Sequence, residues 1–218
     1  MRVILLACFL ALAPALPQMA RAHPHVWVTV KTEVVFDANK AISGFKHAWL
    51  FDEYYSAFAV QGLDKNNDGV YDRAELAELA EVNISSLQEF DYFTFPKLAG
   101  QLIEREPPKD YWLEYKDGRL TLFLTLPMKE PVPEAKAKDF IFAVYDPTFY
   151  VDFAMAKDNP VTLSAAPAGC SPVVKDPDPQ TAQGGVSTLS EAYFQNLDAS
   201  SSDAEQFAKS VAIACQAG

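Results

Sequence analysis

The chain has 218 residues, half of them apolar, with 29 acidic and 18 basic side chains and a formal net charge of −11. A surface of that sign repels nucleic-acid phosphates and anionic lipid heads and favours cations, although acidity also serves plain solubility. The length allows one domain with a real core, or one domain and a small insert.

Arg2, the apolar stretch Val3–Leu16 and the small-x-small box Ala20-Arg21-Ala22 have the layout of a secretory signal peptide, residues 1–22. The apolar stretch is too short and wrongly flanked for a membrane span, and no later run approaches that length. Leu5-Leu6-Ala7-Cys8 resembles a lipoprotein box, but too few residues precede the cysteine for a charged region and an apolar core. Cleavage after Ala22 removes Arg2 and Arg21 and no acid, which takes the net charge from −11 to −13. It also makes His23 the first residue, so an α-amine and the imidazoles of His23 and His25 lie within three residues.

Residues 25–36 are rich in Val, Thr and aromatics and end at the turn-like Asp37-Ala38-Asn39-Lys40. Residues 41–51 continue as a second extended run, and the two predict a β-hairpin. Helical spacing of Tyr54, Tyr55 and Phe58 predicts a helix up to Gly62, and a second runs from about Ala74 through Leu79. Tyr92 to Phe95 reads as extended. Tyr111–Tyr115 and Leu120–Leu126 flank Asp117-Gly118, a hairpin turn, and Phe140–Tyr145 and Phe149–Met155 are two further strands. The predicted fold is mainly β with α: an antiparallel β-sandwich-like domain with an inserted EF-hand-like helix-loop-helix and C-terminal helices. The predicted boundaries are a β-rich domain over 23–163 with its insert at 52–83, an irregular connector over 164–187 crowded with Pro and Gly, and helices over 188–218. Thr188-x-x-Glu191 and Ser202-x-x-Glu205 are capping boxes that would open those helices, with Phe207 and Val211 facing the body. Outside the leader, Cys170 and Cys215 are the only cysteines. In an oxidising compartment they predict a disulfide, with a thiolate metal pair as the competing reading.

His23-Pro24-His25 is the first motif that carries chemistry. Residues i and i+2 of an extended segment point to one side, and Pro24 favours extension, so both imidazoles can converge on one cation. Neutral imidazoles and a free amine suit zinc, copper and nickel. Pro24 has no amide proton, which excludes the square copper motif built on deprotonated amides and leaves a brace of amine, His23 and His25. If Phe36 opposes Ala41, His25 faces Asp52, and a bulge at Gly44 would bring Glu53 there instead. His47 then faces Val30, five residues and roughly 17 Å along the strand. The candidate transition-metal ligands are therefore His23, His25, Asp52 and Glu53, with His47 disfavoured.

The second motif is the twelve-residue run from Asp64 to Glu75, which matches a calcium loop. Asp64, Asn66 and Asp68 supply oxygens at positions 1, 3 and 5, Gly69 permits the sharp turn, Val70 offers its carbonyl, Asp72 acts through water, and Glu75 is bidentate. An unpaired loop outside the cytoplasm is expected to bind Ca2+ weakly and to be structural. No Gly-x-Ser-x-Gly, His-Glu-x-x-His or phosphate-cradling glycine loop is present, so no enzymatic activity is predicted.

Three stretches together carry a resemblance: His23-Pro24-His25-Val26-Trp27 after a leader, His47-x-Trp49-x-Phe51-Asp52-Glu53-x-Tyr55-Ser56, and Tyr145-Asp146-Pro147-Thr148-Phe149-Tyr150-Val151. They resemble domain-of-unknown-function family 1007, exported bacterial proteins. The resemblance implies a periplasmic partner for a nickel/cobalt-exporter-type permease, with a role in transition-metal transport, zinc foremost. It adds His47 and Asp146 to the candidate functional positions. The expected protein is periplasmic and binds Zn2+, or Ni2+ or Co2+, for a permease. A Cu2+ protein using the amino-terminal brace is the alternative, and a Ca2+-stabilised interaction domain the third. Neither nucleic acid nor, after leader removal, direct membrane insertion is expected.

Overall fold

A computed structural model describes residues 24–179 and 189–215. The leader, its cleavage site, His23 and Thr188 lie outside the described residues. Among the described residues no helix is long and apolar enough to cross a membrane.

The chain is mainly β and builds two sheets. The first pair of strands is β1 (Val26–Phe36) and β2 (Ile42–Phe51), the predicted hairpin. Alternate residues of β1, from Val26 to Phe36, are buried, as a strand with one face on a core requires. After helix α1 (Glu53–Ala59) and helix α2 (Ala77–Leu87) the chain makes a 3-10 segment, Gln88–Phe93. Then follow β3 (Thr94–Leu98), β4 (Gln101–Leu102), β5 (Asp110–Lys116) and β6 (Arg119–Val132). Lys116 pairs with Arg119 across Asp117 and Gly118, both at positive φ, as the Asp-Gly signal predicts. The remaining strands are β7 (Phe140–Val144), β8 (Val151–Met155), β9 (Val161–Ser164), β10 (Cys170–Lys175) and β11 (Ser210–Cys215).

One sheet runs in the order β5-β6-β2-β1-β8, with β9 also on β1, and the other in the order β10-β11-β7-β3-β4. They share one hydrophobic core that joins Val30, Phe45, Trp49 and Leu122 of the first sheet to Phe140, Phe142, Val211 and Ile213 of the second. Gly44 allows β2 and β6 to close up at the hairpin end: a Cβ there would lie 2.6 Å from the Leu126 carbonyl oxygen.

The two strands expected around Asp146-Pro147 are present and belong to different sheets, so that turn carries the chain between them. Three expectations are corrected. The first sheet is mixed, because β8 and β9 both pair with β1 in parallel. The supposed connector 164–187 contains strand β10. The supposed C-terminal helices reduce to α3 (Glu191–Phe194) and a 3-10 turn at Asp203–Phe207, where Ser202 makes no side-chain cap. The last stretch is strand β11, in which Val211 and Ile213 alternate with outward residues. Small alanines on its outer face mask that period of two in the sequence. Phe207 is half-buried and Val211 buried. Cys170 and Cys215 are directly opposed on β10 and β11 and form a disulfide.

Candidate functional site

Loop 146–150 fixes the start of β1. Asp146 is buried, and its Oδ1 accepts bonds from the Thr148 N–H and hydroxyl, each at 2.7 Å. Its Oδ2 accepts the Val151 N–H at 2.9 Å. These bonds hold a turn in which Phe149 takes a φ of 58° and Tyr150 presents its carbonyl to β1. The His25 and Val26 N–H groups donate to that carbonyl at 2.8 and 3.2 Å. The exposed His25 ring lies against Tyr150, centroids 4.7 Å apart. The family resemblance implies Asp146 as a weaker candidate position; here its carboxylate organises the turn that seats His25.

Asp52 joins the same end of the sheet, but does not face His25. Its N–H donates to the Trp27 carbonyl at 2.9 Å, and the Trp27 N–H donates to Asp52 Oδ2 at 3.0 Å. Its Oδ1 caps α1 by accepting the Tyr55 N–H at 2.9 Å. The hairpin is thus two positions out of the expected register. Asp37 Oδ1 accepts the Asn39 and Ala41 N–H groups, which draws a fifth residue into the turn, and Ser43 bulges between the Val35–Gly44 and Phe36–Ile42 pairs. Glu53 is exposed in the first turn of α1.

His47 pairs with Thr32, not Val30. That puts it seven positions along β1 from His25, roughly 23 Å at strand rise, and buried beside Trp49 with ring centroids 5.6 Å apart. The Thr94 hydroxyl donates to the Tyr92 carbonyl at 2.9 Å, so it accepts from His47 Nε2–H, 3.3 Å away. His47 Nδ1 then carries the lone pair and accepts the Thr32 hydroxyl at 3.0 Å. Burial lowers the His47 pKa to about 3 and keeps the ring neutral. His47 serves as a polar tie between the sheets.

The run from Asp64 to Glu75 folds as a closed loop. Asp64 Oδ2 accepts the Gly69 N–H at 3.0 Å, and Gly69 has the φ of 79° that its place requires. Asn66 Oδ1 and Asp68 Oδ1 accept the N–H groups of Asp68 and Val70, both at 2.8 Å. Asp72 Oδ1 caps the next turn through the Ala74 and Glu75 N–H groups. Glu75, largely buried, reaches back across the loop to the Lys65 N–H at 2.8 Å and the Asp72 N–H at 3.2 Å. The flanking helices are short: α1 ends at Ala59 and α2 begins at Ala77. Among the described residues no group of three or more His, Cys, Asp or Glu side chains is gathered to hold a metal ion, in this loop or near His25.

Two features escape the sequence reading. Asp152 pairs in register with Trp27 on the parallel strand β8, stays exposed, and has its carboxyl pKa raised by partial dehydration. The alternation of β1 and β8 puts it on the outer face that also carries His25 and Trp27. Only a parallel pairing of these strands makes that neighbourhood visible. The second feature is Trp49, whose indole nitrogen is buried without a hydrogen-bond partner.

The sequence profile described as "Protein of unknown function (DUF1007)" matches residues 6–215. An uncharacterized protein of Haemophilus influenzae is 24% identical over 202 residues, spanning 89% of this chain and 92% of its own length. An uncharacterized 15.5 kDa protein of Spirochaeta aurantia, described by its place in the trpE 3′ region, is 30% identical over 110 residues, 50% of this chain and 77% of its own length.

Proposed function

We propose that this chain, which belongs to the DUF1007 family, is an exported periplasmic protein that binds a divalent transition metal, zinc first, as cargo for a nickel/cobalt-exporter-type permease. The observation that carries the reading is the setting of His25. Its exposed imidazole sits at one end of a sheet where three separate motifs meet, held through its backbone by Tyr150, which the Asp146 turn positions. His23 precedes it by two residues, so an extended approach would put both imidazoles on one side. Glu53 and Asp152 are exposed carboxylates at the same end, and either could complete a set with the two histidines. Asp52 is the weaker candidate, since both of its oxygens already accept backbone N–H groups. Neutral imidazoles with one carboxylate suit zinc, nickel and cobalt, whereas a set completed by the α-amine would favour copper.

Metal analysis of protein taken from the periplasm, before any chelator or affinity resin, tests this reading. Zinc, nickel or cobalt near one equivalent supports it. Copper with the spectra of an amine-and-imidazole site supports the brace instead, and absence of any transition metal contradicts both.

The closed Asp64–Glu75 loop supports a second role, an EF-hand-like calcium site that stabilises a sandwich-like frame. Gly69 at the sharp turn, and Glu75 folded back onto the N–H groups of positions 2 and 9, support this reading.

A further inference from the structure

Helix α1 buries a serine and shows aromatics to solvent. Ser56 is its buried residue, and the Ser56 hydroxyl donates to the Asp52 carbonyl at 2.6 Å and accepts the Leu120 N–H at 2.9 Å. Tyr54 and Phe58, one helical turn apart, are 89% and 70% exposed. Trp27 and Tyr150 are about half exposed and belong to the same end of the first sheet. Trp27 is bonded to Asp52, the N-cap of α1, while Tyr150 holds the His25 and Val26 N–H groups. Tyr55 joins the two sides, stacking on Phe51 and lining one cavity together with Tyr150. Among the described residues no other aromatic side chain is exposed. Exposed apolar side chains gathered in one place mark interaction surfaces.

Charge says what this surface fits. Residues 25–30, 52–59 and 146–155 build it, and they contain Asp52, Glu53, Asp146 and Asp152 but no lysine or arginine. Arg119 at the start of β6 comes to this end, but its guanidinium donates to the Phe51 and Leu50 carbonyls at 2.6 and 3.4 Å. Glu53 and Asp152 are exposed. Aromatic side chains in a negative setting repel an anionic lipid surface and attract a protein that is basic around an apolar contact area. Tyr, Trp and Phe are also the side chains enriched where proteins dock. We propose that this end is the docking surface for such a protein. Resting on the metal reading above, the partner is the permease that takes the metal. Tyr150 stacks on His25, and Trp27 shares its outer face, so a docked partner lies against the proposed ligand.

The test is photo-crosslinking in the native host. The full exported protein carries p-benzoylphenylalanine in place of Phe58 or of Trp27 and, as control, in place of Leu102, which is exposed on β4 of the second sheet. Mass spectrometry identifies what is captured. The expected result is a membrane permease of the nickel/cobalt-exporter type captured from positions 58 and 27 and not from position 102. Tyr54→Ser, at an exposed site, should reduce capture from position 27 about tenfold while zinc affinity stays that of the unsubstituted protein. Capture of lipid alone, of a second copy of this chain alone, or of nothing overturns the inference, and so does equal capture from position 102. Zinc binding by the unsubstituted protein separates the two readings. Zinc bound with no permease captured contradicts the docking surface alone. A permease captured by a protein that binds no zinc contradicts the metal reading and leaves the docking surface in place.

Discussion

His47 and Thr94 lie on different sheets, and the 3.3 Å contact from His47 Nε2 to the Thr94 hydroxyl is a buried polar link across the core. Its pH consequence has a definite sign. The folded pKa is about 3, whereas a free histidine has about 6.5, so above pH 6.5 the ring is neutral in both states and contributes no pH dependence. As pH falls below 6.5 the unfolded chain takes up a proton that the folded ring refuses. Stability is then lost by up to about 1.4 kcal/mol per pH unit, down toward pH 3. His47→Gln can replace both hydrogen bonds but does not titrate. Urea denaturation from pH 7 to 4 should show the variant somewhat less stable at neutral pH, with a flatter acid limb. Parallel limbs would mean that His47 is protonated inside the fold.

Asp52 spends one oxygen on capping α1 and the other on the Trp27 N–H. Asp52→Ala removes both bonds and is expected to cost about 2 kcal/mol, with Asn recovering part of that through its remaining oxygen. Denaturant midpoints check this. A zinc affinity that collapses in Asp52→Asn at unchanged stability would instead identify the carboxylate as a ligand.

The hairpin explains what could be read from the sequence and what could not. Both strands, the Asp117-Gly118 turn and the disulfide partners follow from alternation, turn chemistry and cysteine count. The register does not, because it depends on one Asp37 side chain drawing Ala41 into the turn and on a bulge at Ser43. Two small irregularities shift Asp52 from His25 to Trp27. Parallel pairing of β1 with β8 is non-local and leaves no periodic mark, so the meeting of His25 with Tyr150 and of Trp27 with Asp152 appears only in the folded chain. Strand β11 was obscured by its alanines, which serve helix and strand patterns alike.

Gly44 is expected to resist substitution. A Cβ there meets the Leu126 carbonyl oxygen at 2.6 Å and Cα of Pro127 at 3.0 Å, both backbone. Gly44→Ala must part β2 from β6 and should lower stability by about 2 kcal/mol. Thermal melts of the variant and wild type measure it, and an unchanged melt would show that the strands separate freely at this end.

Calcium should raise the melting temperature of wild-type protein. Calcium tenfold above Kd adds about 1.4 kcal/mol if it binds only the folded state. Glu75→Gln removes the carboxylate that would be bidentate, so the variant should melt at the same temperature with or without millimolar calcium. Equal responses in both proteins would reduce the loop to a turn closed by its own hydrogen bonds.

Transition-metal capture at His25 is most directly tested by calorimetric zinc titration of the exported protein, processed in the cell and stripped of metal, alongside His25→Ala and His47→Ala. The expected result is one equivalent bound by wild type, affinity reduced tenfold or more in His25→Ala, on the order of 1.4 kcal/mol or above, and His47→Ala nearly as tight as wild type wherever it remains folded. Wild-type affinity in His25→Ala, or zinc binding abolished in a folded His47→Ala protein, would contradict the account.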